Sequence, residues 1–176
     1  MKKWIPALLA GALLAVSTAQ ADKTAGDVVD DNTVNASVKA ALIGNKTTKA
    51  QDINVETYKG VVQLSGFVDT AAEKDEAAKV AAGVSGVKSV DNSISVGGKT
   101  SMGTKLDDTV MTGKVKAALM DASNVKSGQI NVETKSGVVQ LSGFVDSAAM
   151  KDKAGTVAAG VSGVKEVQNV LAVRTK

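Results

Sequence analysis

Apolar positions recur along this 176-residue chain in an order that is written twice. In the first copy Val34, Val38, Ala41 and Leu42 fall at i, i+4, i+7 and i+8, one stripe of a helix facing a core. Ile53, Val55 and Thr57 then alternate with Asn54, Glu56 and Tyr58, and after Lys59-Gly60 the alternation resumes at Val62, Leu64, Gly66 and Val68. Period-two patterning on both sides of a short break containing Gly predicts an antiparallel hairpin. Thr70-Ala-Ala-Glu73 has the form of a capping box, and Ala77, Val80, Ala81 and Val84 behind it have helical spacing. Val87, Val90, Ile94 and Val96 supply a third strand, so the element order is αββαβ.

Residues 31–97 and 108–174 are the same segment at an offset of 77, and 39 of the 67 aligned positions are identical. The helical stripe returns as Met111, Val115, Ala118 and Leu119, and Lys59-Gly60 returns as Ser136-Gly137, keeping only the Gly that a turn at positive φ requires. In copy two the capping box becomes Ser147-Ala-Ala-Met150, which loses one of its reciprocal bonds. The chain is therefore expected to be α+β, with two small αββαβ sandwich domains in tandem. A linker at 98–107, rich in Gly, Ser, Thr and Lys, reads as flexible.

A right-handed β-α-β crossover makes the third strand parallel to the second, so each sheet should be three-stranded and mixed with the hairpin's second strand central. Both helices should cover one face, because each has a single apolar stripe to bury. Asp31 and Asp108 are expected to cap the first helix of each copy, with Asp69 and Asp146 as alternative caps for the second. Gly83 and Gly160 stand where a left-handed C-terminal residue is expected. Gly66 and Gly143 predict a close helix approach or a bulge.

Pleat parity puts Val61, Gln63, Ser65 and Phe67 on the face the helices leave open, with Val138, Gln140, Ser142 and Phe144 as their copies. An aromatic on a solvent-side parity, repeated in both copies, points to an interaction surface. Two other arrangements would account for it: strand twist tucking the Phe under a domain edge, or the two open faces packing on one another.

Lys2 and Lys3, an apolar run from Ile5 to Val16 and Ala19-Gln20-Ala21 predict a signal peptide over residues 1–21, cleaved after Ala21. The apolar run falls short of the ~20 residues a membrane span needs. No Cys follows to carry a lipid, so a soluble periplasmic product is expected. Without residues 1–21 the count of 21 basic against 18 acidic residues becomes 19 against 18, a net of +1. That removes the electrostatic basis for nucleic-acid binding. Copy one carries seven Lys against eight acids, and copy two eight Lys and Arg against six, so the second copy is the more basic. Neutral drift on solvated surfaces would account for the difference; on the functional reading the second copy meets an anionic partner, with Lys151 and Lys153 on its second helix.

The chain has no His and no Cys, which removes the imidazole base, the thiolate and the usual soft-metal ligands. The acids of Glu73-Lys-Asp75-Glu76 become Met150, Asp152 and Lys153, as a solvated helix face tolerates. No catalytic, cofactor or metal site is expected. Gly83-Val-Ser-Gly86 and Gly160-Val-Ser-Gly163 read as turns, since the residues between the glycines are uncharged.

A turn Gly followed by Val-x-Leu-x-Gly-x-Val, then a helix, then Val-x-Gly-Val-x-x-Val-x-Asn-x-(Ile/Leu)-x-Val resembles the BON domain. Those residues are Gly60, Val62, Leu64, Gly66, Val68, Val84, Gly86, Val87, Val90, Asn92, Ile94 and Val96, and copy two matches from Gly137 to Val173. The resemblance implies the αββαβ sandwich, a bacterial periplasmic setting and a non-enzymatic role in envelope protection, including osmotic stress. It also implies peripheral binding of anionic phospholipid or another envelope surface, or chaperone-like binding of unfolded or exported proteins. The residues expected to make such contacts are Lys151, Lys153, Phe67, Phe144, Val61 and Val138.

Overall fold

The computed structural model describes residues 30–97 and 101–174. The expected signal peptide lies outside them, as do residues 98–100 of the expected linker. Each copy forms a helix, a hairpin, a second helix and a returning strand. In the first unit these are α1 (Asp31–Gly44), β1 (Ile53–Tyr58), β2 (Val61–Val68), α2 (Ala71–Ala82) and a strand in two pieces, β3 (Ser89–Asn92) and β4 (Ser95–Val96). The second unit repeats the order as α3 (Met102–Asp121), β5 (Asn131–Lys135), β6 (Val138–Ser142), β7 (Phe144–Val145), α4 (Ala148–Ala159), β8 (Glu166–Asn169) and β9 (Ala172–Val173).

The expected topology is present in both units. β1 pairs antiparallel with β2 from Ile53 opposite Gly66 to Tyr58 opposite Val61, and β2 pairs parallel with β3 and β4. Val34, Val38 and Leu42 of α1 and Ala77 and Ala81 of α2 pack with Val55, Val62, Leu64, Val68 and Ile94 in one core. The second core uses Val115, Leu119, Val139, Leu141, Val145, Ala154, Ala158 and Leu171 in the same way. Asn92 ties helix to strand, donating from Nδ2 to the Lys74 carbonyl at 2.9 Å, and Asn169 does the same to Lys151 at 2.8 Å. Each strand is interrupted just after its Asn, where Asn92 Oδ1 accepts the Ile94 N–H and Asn169 Oδ1 the Leu171 N–H, each at 3.4 Å.

Several local expectations change. Asp31 and Asp108 do not cap helices. The Asp31 carboxylate accepts the Lys59 and Gly60 N–H groups at 2.6 and 2.8 Å, and Asp108 accepts those of Ser136 and Gly137 at 2.7 and 2.9 Å. Both residues of each hairpin turn have positive φ, 51° and 80° in the first and 54° and 84° in the second, so their N–H groups converge on one acceptor. Asp69 and Asp146 pair with lysines instead of capping, at 2.5 Å to Lys49 and 2.6 Å to Lys126. The capping box at Thr70 and Glu73 forms fully, whereas Ser147 accepts only from the Met150 N–H. Glu73 is buried through that box, not solvated. Gly83 and Gly160 are right-handed, and the positive φ falls three residues later at Gly86 and Gly163.

The linker expectation fails in its second half, because α3 begins at Met102, six residues before the repeat resumes. Ser101 accepts the Thr104 N–H and starts the helix there. At Gly66 and Gly143 φ is 116° and 120°, and what approaches is the backbone of a 3-10 turn rather than a helix. A Cβ on Gly66 would lie 2.3 Å from the Asp52 carbonyl oxygen, and one on Gly143 2.3 Å from that of Gln129.

Candidate functional site

The sheet faces expected to be open are closed by each other. Ser65 and Ser142 meet Oγ to Oγ at 2.8 Å, with the Gly66 N–H donating to Gln140 Oε1 at 2.6 Å and the Gly143 N–H to Gln63 Oε1 at 2.7 Å. Both glutamines are 1% exposed. Phe67 and Phe144 are buried at this contact, and Val61 and Val138 are half-buried. These four were expected to be an exposed partner surface. Their placement follows from unit size: a Val/Ala core of about 67 residues is near the lower limit for independent stability, and covering the second sheet face removes more apolar area from water. Tyr58 stacks on Phe144 with ring centroids 5.6 Å apart, and the Arg174 guanidinium lies 5.2 Å from the Tyr58 centroid.

One side of the contact stays partly open. A cleft of about 760 Å³ is lined by Lys49, Asp52, Phe67, Lys105, Glu133 and Lys135, among others. The Glu133 carboxyl accepts from Asn54 Nδ2 at 2.7 Å, and its pKa is pushed up to about 7, chiefly by burial and then by the Asp52 charge. In the opposite copy Gln129 stands where Asp52 does here, so that repulsion exists once. Asp69 is held below the usual carboxylate range, mainly by its hydrogen bond from Lys49, with Lys135 3.6 Å away adding to it.

The raised Glu133 value has a defined stability consequence. A carboxyl whose folded pKa exceeds its unfolded one stabilises fully below the unfolded value of about 4.5, and that contribution is lost as pH rises through about 7. Glu133→Gln keeps an acceptor for Asn54 and removes the charge. It is expected to match the parent at pH 4.5 and exceed it by about 1–2 kcal/mol at pH 8, less than full desolvation would imply because solvent reaches the group. Urea midpoints at both pH values test this, and an unchanged pH slope would refute it.

With the sheet faces occupied, the exposed chemistry lies on the helix layer. Leu106, Val110, Gly113, Ala117 and Met120 follow one another at helical spacing along α3, and all are exposed. Leu106 is 71% exposed, Val110 58% and Met120 72%, large values for apolar side chains. Exposed Lys114 flanks this stripe on one side and exposed Lys105 and Lys116 on the other. In copy one the equivalents of Val110, Lys114 and Met120 are Thr33, Ser37 and Ile43, a weaker version. Lys153 is exposed and Lys151 half-buried on α4, which packs with α3 on the same core. The predicted residues thus divide: both lysines belong to the helix layer, while Phe67, Phe144, Val61 and Val138 lie across the sheet from it. Sequence reasoning missed Leu106 and Val110 because it placed Leu106 in a linker and read only the core stripe of this helix.

Residues 30–98 and 107–175 each match the BON domain. Osmotically-inducible protein Y of Escherichia coli is 45% identical over 148 residues, which cover 83% of this chain and 74% of that protein. The outer membrane lipoprotein DolP of Haemophilus influenzae is 32% identical over 167 residues, 94% of this chain and 86% of that one. A 21 kDa hemolysin of Actinobacillus pleuropneumoniae is 35% identical over 150 residues, 85% and 77% of the two chains.

Proposed function

The chain belongs to the BON-domain family, and on that premise we propose that it is a non-enzymatic envelope protein of the osmotic stress response that docks peripherally on anionic phospholipid through its second unit. The observation that carries this reading is the exposed apolar stripe of α3 with lysines on both flanks. A helix lying in a membrane interface needs such a face: apolar side chains that enter the acyl boundary and basic groups that meet the headgroups. Lys105, Lys114, Lys116, Lys151 and Lys153 outnumber Asp107, Asp121 and Asp152 on the helix layer of this unit. Asp108, between them in sequence, is buried and spent on the hairpin turn. Each basic group near an anionic surface contributes about 1 kcal/mol, screened by salt. Among the described residues no helix is long and apolar enough to cross a membrane, which suits reversible docking. The relatives named for osmotic induction and for an outer-membrane location support the setting.

The test is co-sedimentation with vesicles containing phosphatidylglycerol and with vesicles of phosphatidylcholine alone. Binding is expected to the first only, weakening as salt rises. The triple variant Leu106→Gln, Val110→Gln, Met120→Gln should bind at least tenfold more weakly with an unchanged circular dichroism spectrum, because none of the three contributes to the core. A parent protein that ignores the anionic vesicles at low salt would sink the proposal.

A chaperone-like role has one structural feature in its favour. Each unit has an apolar groove beside its exposed helix end, about 460 Å³ next to Ile43 and about 280 Å³ next to Met120. Suppression of client aggregation that is lost in Ile43→Gln with Met120→Gln, while vesicle binding is absent, would favour that reading.

A further inference from the structure

Most of the hydrogen bonds that join the units come in pairs related by exchanging the copies. The Gly143 N–H bonded to Gln63 is answered by the Gly66 N–H bonded to Gln140. Gln63 Nε2 donates to the Val170 carbonyl at 2.7 Å, and Gln140 Nε2 donates to the Ser93 carbonyl at 3.0 Å. Asn54 donates to Glu133 at 2.7 Å, and Asn131 donates to Glu56 at 2.6 Å. Ser65 and Ser142 meet where the pseudo-twofold axis passes. Every side chain in this set is the same residue in both copies. An interface in which residue i touches j while j touches i is isologous, the geometry of a twofold dimer. None of these contacts requires the two faces to belong to one chain.

Which faces meet is decided where the copies differ. Lys135, at the position of Tyr58, donates to the Gly97 carbonyl at 2.8 Å and lies 3.6 Å from Asp69. Arg174, at the position of Gly97, covers the Tyr58 ring and pairs with Asp146 at 3.1 Å. Joining two second units would set Lys135 against Arg174 on both sides of the axis. Joining two first units would set Asp52 against Glu56 twice, doubling a carboxylate approach that the present pairing makes once. Like charges brought together at an interface select against such pairings. A first unit therefore prefers a second unit, whichever chain carries it.

We propose that the face through which the two units bind each other is also a docking surface for a second copy of this chain, unit one of each molecule seating on unit two of the other. The product is a closed dimer with the same contacts made between chains. The short connection Gly97-Gly98-Lys99-Thr100-Ser101 holds the internal faces at an effective concentration in the mM range, so single chains dominate in dilute solution and exchange is favoured as protein concentration approaches that range.

Two full-length variants test this. One carries Gln63→Arg with Ser65→Arg, which blocks the face of unit one. The other carries Gln140→Arg with Ser142→Arg, which blocks that of unit two. The substituted side chains point away from each unit's own core, so both variants are expected to keep their helical circular dichroism. Each is left with one free face, and mixing them should give a 1:1 complex of twice the single-chain mass in analytical ultracentrifugation. A chain carrying all four substitutions should join neither. Persistence of the single-chain mass in the mixture, with both variants folded, would overturn the proposal. A second measurement uses the parent protein: donor- and acceptor-labelled populations unfolded together and refolded at millimolar concentration should yield a dimer with energy transfer between chains. Refolding to single chains alone would overturn it as well.

Discussion

Gly66→Ala is expected to unfold the first unit at a urea concentration where the parent remains native, with a stability loss of about 3 kcal/mol or more. Two independent causes combine. The backbone holds φ at 116°, where a Cβ is strained by roughly 1–3 kcal/mol. The new methyl would also stand 2.3 Å from the Asp52 carbonyl oxygen and 3.1 Å from Glu133 Oε2. The carbonyl is backbone and cannot swing aside as a flexible side chain would, so relief requires shifting the 3-10 turn at Ala50–Asp52 and with it the edge of β1. The Gly66 N–H also donates to Gln140, so displacement here loosens the contact with unit two. Gly113→Ala is the matched control, lying on the exposed face of α3 with nothing within 4 Å of the added atom. It should gain about 0.5–1 kcal/mol from helix propensity. Equal midpoints for the two variants would show that the close approach at Gly66 is not a real constraint.

Asp108→Ala is expected to cost about 3 kcal/mol, measured as a shift of the urea midpoint. Asp108 is 6% exposed, and its carboxylate accepts two N–H groups from the hairpin turn, at 2.7 and 2.9 Å. Hydrogen bonds to a charged group contribute about 1.5–3 kcal/mol each, and the variant strands both donors, one of them buried. Asp108→Asn retains one acceptor and should recover roughly half of the loss. Asp31→Ala removes the same pair of bonds in copy one, where the site is more exposed, so its cost should be smaller. If Asp108→Ala proves neutral, the latch between α3 and the turn contributes nothing to stability.

Both predictions concern residues whose importance, but not whose role, is visible in the repeat. Gly66 and Asp108 are each kept in the other copy, and the sequence pattern suggests a local purpose for each: a helix approach or a bulge for the Gly, a helix cap for the Asp. An aspartate at the start of a helical stripe satisfies the capping rule whether or not it caps. What removes Asp108 from that role is the extension of α3 back to Met102, which places the residue inside the helix and turns it toward the β5–β6 turn 28 residues later. That contact is non-local, and no window along the chain contains both partners. The exposed α3 stripe is not legible in the repeat for a related reason. Leu106 stands before the repeat begins, so identity between the copies does not mark it, and the Gly-Ser-Thr-Lys composition around it is that of a linker.

The two capping boxes show the opposite case. Thr70 with Glu73 forms both reciprocal bonds, and Ser147 with Met150 forms only one, as the side-chain chemistry dictates without reference to the rest of the fold. Met150 compensates by entering the second core. The mixed sheet, its register direction and the placement of both helices on one face were equally legible, because they follow from hydrophobic period and from the handedness of a β-α-β crossover.

By itself the chain determined its duplication, the αββαβ order of each copy, the composition of each core and the absence of imidazole and thiol chemistry. These depend on period, on identity between copies and on residue type, all of which act over a few neighbours or by simple inventory. Only the tertiary structure decided what covers the second face of each sheet. Pleat parity places Gln63, Ser65 and Phe67 on that face, but the free energy that closes it comes from Gln140, Ser142 and Phe144 arriving from the other unit. The same burial that hides both Phe side chains leaves Leu106, Val110 and Met120 as the large apolar groups in solvent on α3, and so moves the candidate binding surface from the sheet to the helix layer.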